Sequence, residues 1–125
     1  MSINSRQKGA AGERELCHEL KGLFGWQAER SQQHCGNAGD SDVRIRELPS
    51  VFAEVKRVQR LNVQEAMAKA VEQSQGQTPM LFHRVNRGPW LCTINLSQLQ
   101  EVSRLVMSAS LPMEPSGPSS TDATT

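Results

Sequence analysis

The stretch FAEVKR, residues 52–57, reads as a β-strand. Side chains alternate along a strand, so Val51, Ala53 and Val55 line one face while Glu54 and Lys56 share the other. An acid and a base two residues apart fit either the solvated outer face of a sheet or a built site. What else the chain brings to that face decides between them.

Just upstream, residues 41–46 (SDVRIR) also alternate, with Val43 and Ile45 on one face, and Pro49 turns the chain before Val51. A hairpin centred on Leu48 pairs residues whose numbers sum to 96, which sets Asp42 opposite Glu54 and Asp40 opposite Lys56. Directly opposed side chains have Cβ atoms ~4.5–5.5 Å apart, so two carboxylates there repel unless a cation lies between them. Mg²⁺ suits the position, because it takes oxygen ligands and is held by one or two carboxylates together with water and substrate phosphate. A register shifted by one residue would part the two acids to opposite faces.

The remaining segments complete an alternation of helices and strands. Residues 5–24 read as a helix, with Leu16, Leu20, Leu23 and Phe24 at three- and four-residue spacing and Gly25 as its stop. Residues 26–30 form a short strand, and the polar, glycine-bearing 31–39 a loop. A second helix covers 62–75, capped by Asn62 and burying Val63, Ala66, Met67, Ala70 and Val71. Strands at 79–84 and 90–94 are joined by VNRGP, and a third helix covers 97–108. From Ala109 the chain is rich in Ser, Thr and Pro and is expected to be disordered, giving a domain over 1–108 and a tail over 109–125.

A chain of 125 residues makes one domain with a modest core. No apolar run approaches the ~18 residues of a membrane span, and no basic and apolar leader opens the sequence, so a cytoplasmic protein without membrane contact is expected. Three cysteines, odd in number and without CxxC spacing, argue against a disulfide framework. The formal net charge of +1 averages unlike parts, since residues 112–125 hold two acids and no base. Residues 1–111 carry 14 bases against 11 acids, or +3, and +6 if Glu13, Asp42 and Glu54 are engaged by metal. That balance permits binding to a phosphate backbone.

The first helix adds Glu13, at the edge of its apolar stripe, where a carboxylate needs a basic partner or a water-filled cleft. Together, QKGAAGEREL (7–16), ERS (29–31), GDSDV (39–43) and AEVKR (53–57) resemble, in order and spacing, the archaeal-type Holliday junction resolvases of the PD-(D/E)xK nuclease superfamily. The later QGQTPMLFHRVNRGPWLCTI (75–94) is similar to that family's closing strand–turn–strand. The likeness covers about residues 6–95. It departs at Gln7, where the family commonly has a base, at Ser41, where many superfamily members have proline, and in a longer 31–39 loop.

The resemblance implies an α/β fold with a restriction-endonuclease-like core, a central mixed β-sheet flanked by helices. It implies a metal-dependent endodeoxyribonuclease using Mg²⁺, with Mn²⁺ able to substitute, that cuts four-way DNA junctions as a homodimer. Asp42 and Glu54 match the metal-binding carboxylates, with the carbonyl of Val55 completing the ligands and Glu13 helping to hold metal or its water. Lys56 matches the catalytic lysine, which orients or deprotonates the attacking water or balances phosphate charge. Arg14 and Arg30 match bases near the scissile phosphate, and Ser31 a nearby loop serine. Arg6, Lys8, Arg57, Arg60, Arg84 and Arg87 complete the bases expected to hold DNA. Other branched-DNA, repair or restriction-like nucleases of the superfamily, and a non-catalytic DNA-binding module on the same scaffold, are the alternatives.

Other features point elsewhere with less force. Cys17–His18 and His34–Cys35 match no zinc-site spacing. Gln73 could face the site from the second helix, His83, Arg84 and Arg87 could grip a DNA backbone or belong to a solvated turn, and Trp90 reads as a core anchor.

Overall fold

Alternation along FAEVKR produces the two-sided strand at the centre of the sheet. The computed structural model describes residues 5–31 and 41–110, with their side chains from Gly9 to Ala109. The order is α1 (Ser5–Phe24), β1 (Ala28–Arg30), β2 (Val43–Ile45), β3 (Val51–Arg57), α2 (Val63–Ser74), β4 (Thr78–Arg84), β5 (Leu91–Thr93), a short 3₁₀ turn (Leu96–Gln98) and α3 (Leu99–Ser110). The five strands lie in chain order in one sheet. β3 and β4 pair in parallel through the α2 crossover, and the other neighbours are antiparallel. The architecture is α/β, a mixed sheet flanked by helices, as the sequence leads one to expect.

Val51, Ala53 and Val55 join Val43, Ile45, Met80 and Phe82 in a core that takes Leu16 and Leu20 from α1 and Val102 from α3. On the other face, Leu81 packs with Ala66 and Met67 of α2. Asn62 caps α2 as expected, its Oδ1 accepting the Glu65 N–H at 3.0 Å. Gly25 ends α1 at φ +73°, a backbone conformation with little penalty for glycine, and its N–H returns to the Lys21 carbonyl at 2.9 Å. Trp90 packs against the core, as does Cys17.

Several expectations shift. Leu23 and Phe24 are exposed at the end of α1, and Phe24 rests on Trp26 with ring centroids 4.6 Å apart. Val71 is exposed and Ser74 takes a buried place in the α2 stripe. α3 runs through Ser110 and packs Ala109 on the core, so the domain extends past 108. The tail beyond 110, most of the 31–39 loop with His34 and Cys35, Asp40, and the side chains of Arg6 and Lys8 lie outside the described residues.

Gly12 lets α1 approach β3. A Cβ at this position would lie 2.6 Å from the Cβ of Arg57, whereas one at Gly22 would meet nothing within 4 Å. Gly12→Ala is therefore expected to cost ~1–3 kcal/mol through overpacking. Gly22→Ala, free of clash, is expected to stabilise the helix by ~0.5–1 kcal/mol. Urea denaturation of the two variants checks the contrast.

Candidate active site

β2 is short, and its hydrogen bonds change where it ends. Val43 pairs with Ala53, the expected register, so the hairpin carries Asp42 to the level of Glu54. The backbone N–H of Asp42 donates to the Ala53 carbonyl at 3.1 Å, and its own carbonyl accepts the Ser31 N–H at 3.0 Å. Its carboxylate Oδ2 accepts the N–H of Val55 at 2.9 Å. Asp42 thus links the end of β1 to the middle of β3.

Glu54 is half-buried beside it. Burial, then the Asp42 charge, push its carboxyl up to about 7, against opposition from Lys56 and Lys69. Lys56 follows on the same face, level with His83 of β4. His83 Nε2 hydrogen-bonds Thr93 Oγ1 at 2.8 Å, and burial lowers the imidazole's proton affinity. Lys69 is a member of this surface that the sequence reading missed. It stands three residues after Ala66 and next to Ala70, on the flank of the buried α2 stripe, which is the signal that could have found it.

Glu13 approaches from α1. Arg30 Nε donates to its Oε1 at 2.8 Å. Burial raises the Glu13 carboxyl above its ordinary value, the Arg30 hydrogen bond opposes this, and Asp42 adds to the rise. Glu13, Asp42 and Glu54 therefore sense one another's charge. Even so, no group of three or more His, Cys, Asp or Glu side chains among the described residues gathers closely enough to hold a metal. Glu13 stands beside Asp42 and Glu54, drawn to Arg30. The donor set that fits a hard divalent cation is the Asp42–Glu54 pair, two oxygen donors whose repulsion a cation would relieve. Val55 reaches Asp42 through its N–H.

The expected phosphate-holding bases divide. Arg14 is exposed on α1, near enough to Glu13 to lower its proton affinity, and Arg30 is held by Glu13. The Ser31 hydroxyl is buried and has no hydrogen-bond partner among the described residues. Arg57 and Arg84 are side by side on the α1 face, away from the Glu54 face, and both grip Glu15, at 2.9 and 3.1 Å. Arg57 also donates to Asn86 at 3.0 Å, and Arg84 to the Gly88 carbonyl. These contacts make the pair a brace between α1 and the β4–β5 turn. Arg60 and Arg87 are exposed in the loops after β3 and β4. Gln73 is exposed on α2.

No protein-family model matches this sequence, and no curated protein matches it. Among solved structures, the chain is similar to Hjc, a Holliday junction resolvase from the archaeal hyperthermophile Archaeoglobus fulgidus. The similarity has 20% identity and a TM-score of 0.47, over 70% of this chain and 72% of that one.

The raised Glu54 carboxyl sets a pH dependence. Below the ordinary value of 4.5 Glu54 is protonated whether the chain is folded or unfolded, and it contributes nothing. Between 4.5 and about 7 the unfolded chain releases the proton while the folded protein keeps it, so stability falls as pH rises and levels off above. In chelator-treated protein, Glu54→Gln is expected to melt higher than the parent at pH 8, with the gap closing towards pH 4.5. Equal melting temperatures at pH 8 would contradict the crowding of the two carboxylates.

Proposed function

We propose that this chain is a divalent-metal-dependent DNA endonuclease acting on four-way junctions as a homodimer. The observation that carries the proposal is the carboxylate pair, Asp42 and Glu54, brought together at the β2–β3 fork with Lys56 on the same face. Two like charges side by side cost a fold stability, and perturbed carboxylates cluster at catalytic sites.

Asp42 and Glu54 would hold Mg²⁺, with the Val55 carbonyl as a further oxygen donor. When bound, the cation supplies Lewis-acid activation of water and neutralises charge on the phosphate. Lys56, two residues along from Glu54, orients the water or takes its proton. Glu13 stays fixed by Arg30, which leaves its second oxygen to accept a hydrogen from water at the site. Arg14 and Arg30 steady the scissile phosphate, Arg30 from its position beside Glu13. A junction presents two symmetric phosphates, and a C2 dimer presents two such sites. Nothing in the sequence matches a base-reading element, so selectivity would rest on the angle between DNA arms.

Purified protein with Mg²⁺ on a synthetic junction, a duplex, a flap and a single strand tests the reading. Preferential nicking of the junction is expected, with duplex bound at least about tenfold more weakly at fixed salt. Equal affinity for junction and duplex would remove the resolvase assignment, and binding without any cleavage would make the chain a DNA-binding module.

Asp42→Ala and Glu54→Ala should each abolish cleavage while retaining DNA binding. Lys56→Ala should slow it by about 10²–10⁴-fold. Mg²⁺ at about a hundred times its Kd should stabilise the parent and Lys56→Ala by ~2.7 kcal/mol, and the two carboxylate variants by much less. Full turnover by Asp42→Ala would refute the site.

A further inference from the structure

On the face that carries Asp42 and Glu54, α2 packs over β4 and reaches only the near side of β3. Beyond Glu54 the sheet face opens. Arg44 and Arg46 follow Asp42 at every second residue of the β2 segment, and both are exposed. Their partners across the β1 pairing, Glu29 and Gln27, are exposed as well. These four residues line an open trough of about 620 Å³ together with Gln77, Pro49 and Ser41, the sequence neighbour of Asp42.

We infer that this trough is a phosphate-backbone subsite, in which Arg44 and Arg46 hold the DNA strand as it leaves the carboxylate pair across β2 and β1. The inference rests on the nuclease reading above and adds to it the direction the strand takes. Successive same-face residues of a strand are ~6.6 Å apart, so Asp42, Arg44 and Arg46 form an evenly spaced row from the site outwards. Guanidinium groups pair with phosphate oxygens through two parallel donors, and the amides of Gln27 and Gln77 add neutral donors at the rim. Lys69, on the α2 wall, keeps positive charge at the end of the row nearest Glu54. The opposite direction is less open, because α2 covers β4 there.

Charges of the other sign matter here. Glu47 also lies at this edge, but its Oε1 already accepts the Gln27 N–H at 2.9 Å. Glu29 faces the trough from the register position opposite Arg44, and it opposes a phosphate. The two kinds of substitution therefore have opposite expected effects, which a merely structural role for these residues would not produce.

The experiment is equilibrium binding of a fluorescein-labelled four-way junction, without divalent ion and with chelator, across a salt series. Arg44→Gln/Arg46→Gln should lose about tenfold or more in affinity, and the slope of log K against log salt should shrink by about two. Arg46→Gln alone should shrink it by about one, with Arg46→Lys restoring it. Glu29→Gln should bind more tightly than the parent at low salt. Arg104→Gln, on α3 and paired with Glu101, serves as the remote control and should bind like the parent. Thermal melts establish folding, and if the double variant does not fold, Arg46→Gln and Glu29→Gln decide. Unchanged affinity and slope in the arginine variants, with Glu29→Gln neutral, would overturn the subsite while parent binding left the nuclease reading intact. A parent protein that binds no DNA would instead overturn the nuclease reading itself.

Discussion

The bond from the Val55 N–H to the Asp42 carboxylate, 2.9 Å long, is the contact on which the site depends. A β-strand donor needs an acceptor, and β2 has run out of regular ladder at Val43. The Asp42 side chain supplies that acceptor, while the Asp42 backbone ties Ser31 to β2 and β2 to Ala53. Satisfying these backbone groups leaves one carboxylate beside another, in a half-buried place where water screens them poorly. The Glu54 carboxyl responds by holding its proton to about 7. Local backbone chemistry thus creates an electrostatic imbalance that a cation is suited to remove.

The rest of the domain tolerates this imbalance because β3 separates its two duties by side-chain parity. Its odd positions belong to a dry core with Leu16, Leu20, Phe82 and Val102, whose burial is the principal stabilising contribution. Its even positions begin with the fully buried Phe52 and continue with Glu54 and Lys56, both half-buried. Further along, Arg57 returns to the α1 face and, with Arg84, binds Glu15. That shared carboxylate joins α1 to both β3 and β4. Two bases expected to hold DNA thus also take part in the contact between α1 and the sheet.

Uneven helix cover links packing to function. Because α2 packs chiefly over β4, Glu54 sits on a boundary between a packed interior and an open face. Partial burial gives its charge consequences, and partial exposure leaves it accessible to solvent. On the β1–β2 side of the same boundary, Arg44 and Arg46 are exposed.

Much of this was legible in the sequence because it is local. Helix α1 and its glycine stop, the Asn62 cap, the alternation of β3 and the turn that sets the Val43–Ala53 register all follow from near neighbours. The conjunction of Asp42 with Glu54 was legible for the same reason: a short hairpin has few registers, and only some of them bury Val43 and Ile45. What the sequence did not reveal depends on contacts distant along the chain. Glu15 could not be seen to take Arg57, 42 residues away, because charge alone does not say which acid a base will meet. Leu23 and Val71 carry the right periodicity yet are exposed, since periodicity names a face and the sheet's extent decides how much of it is covered. Lys69 and Arg44 look like ordinary surface bases until α2 is placed across β4. Local hydrogen bonding and alternation specified the elements and the paired acids, and long-range packing decided which charges face them, because burial and Coulomb interaction depend on distance in space.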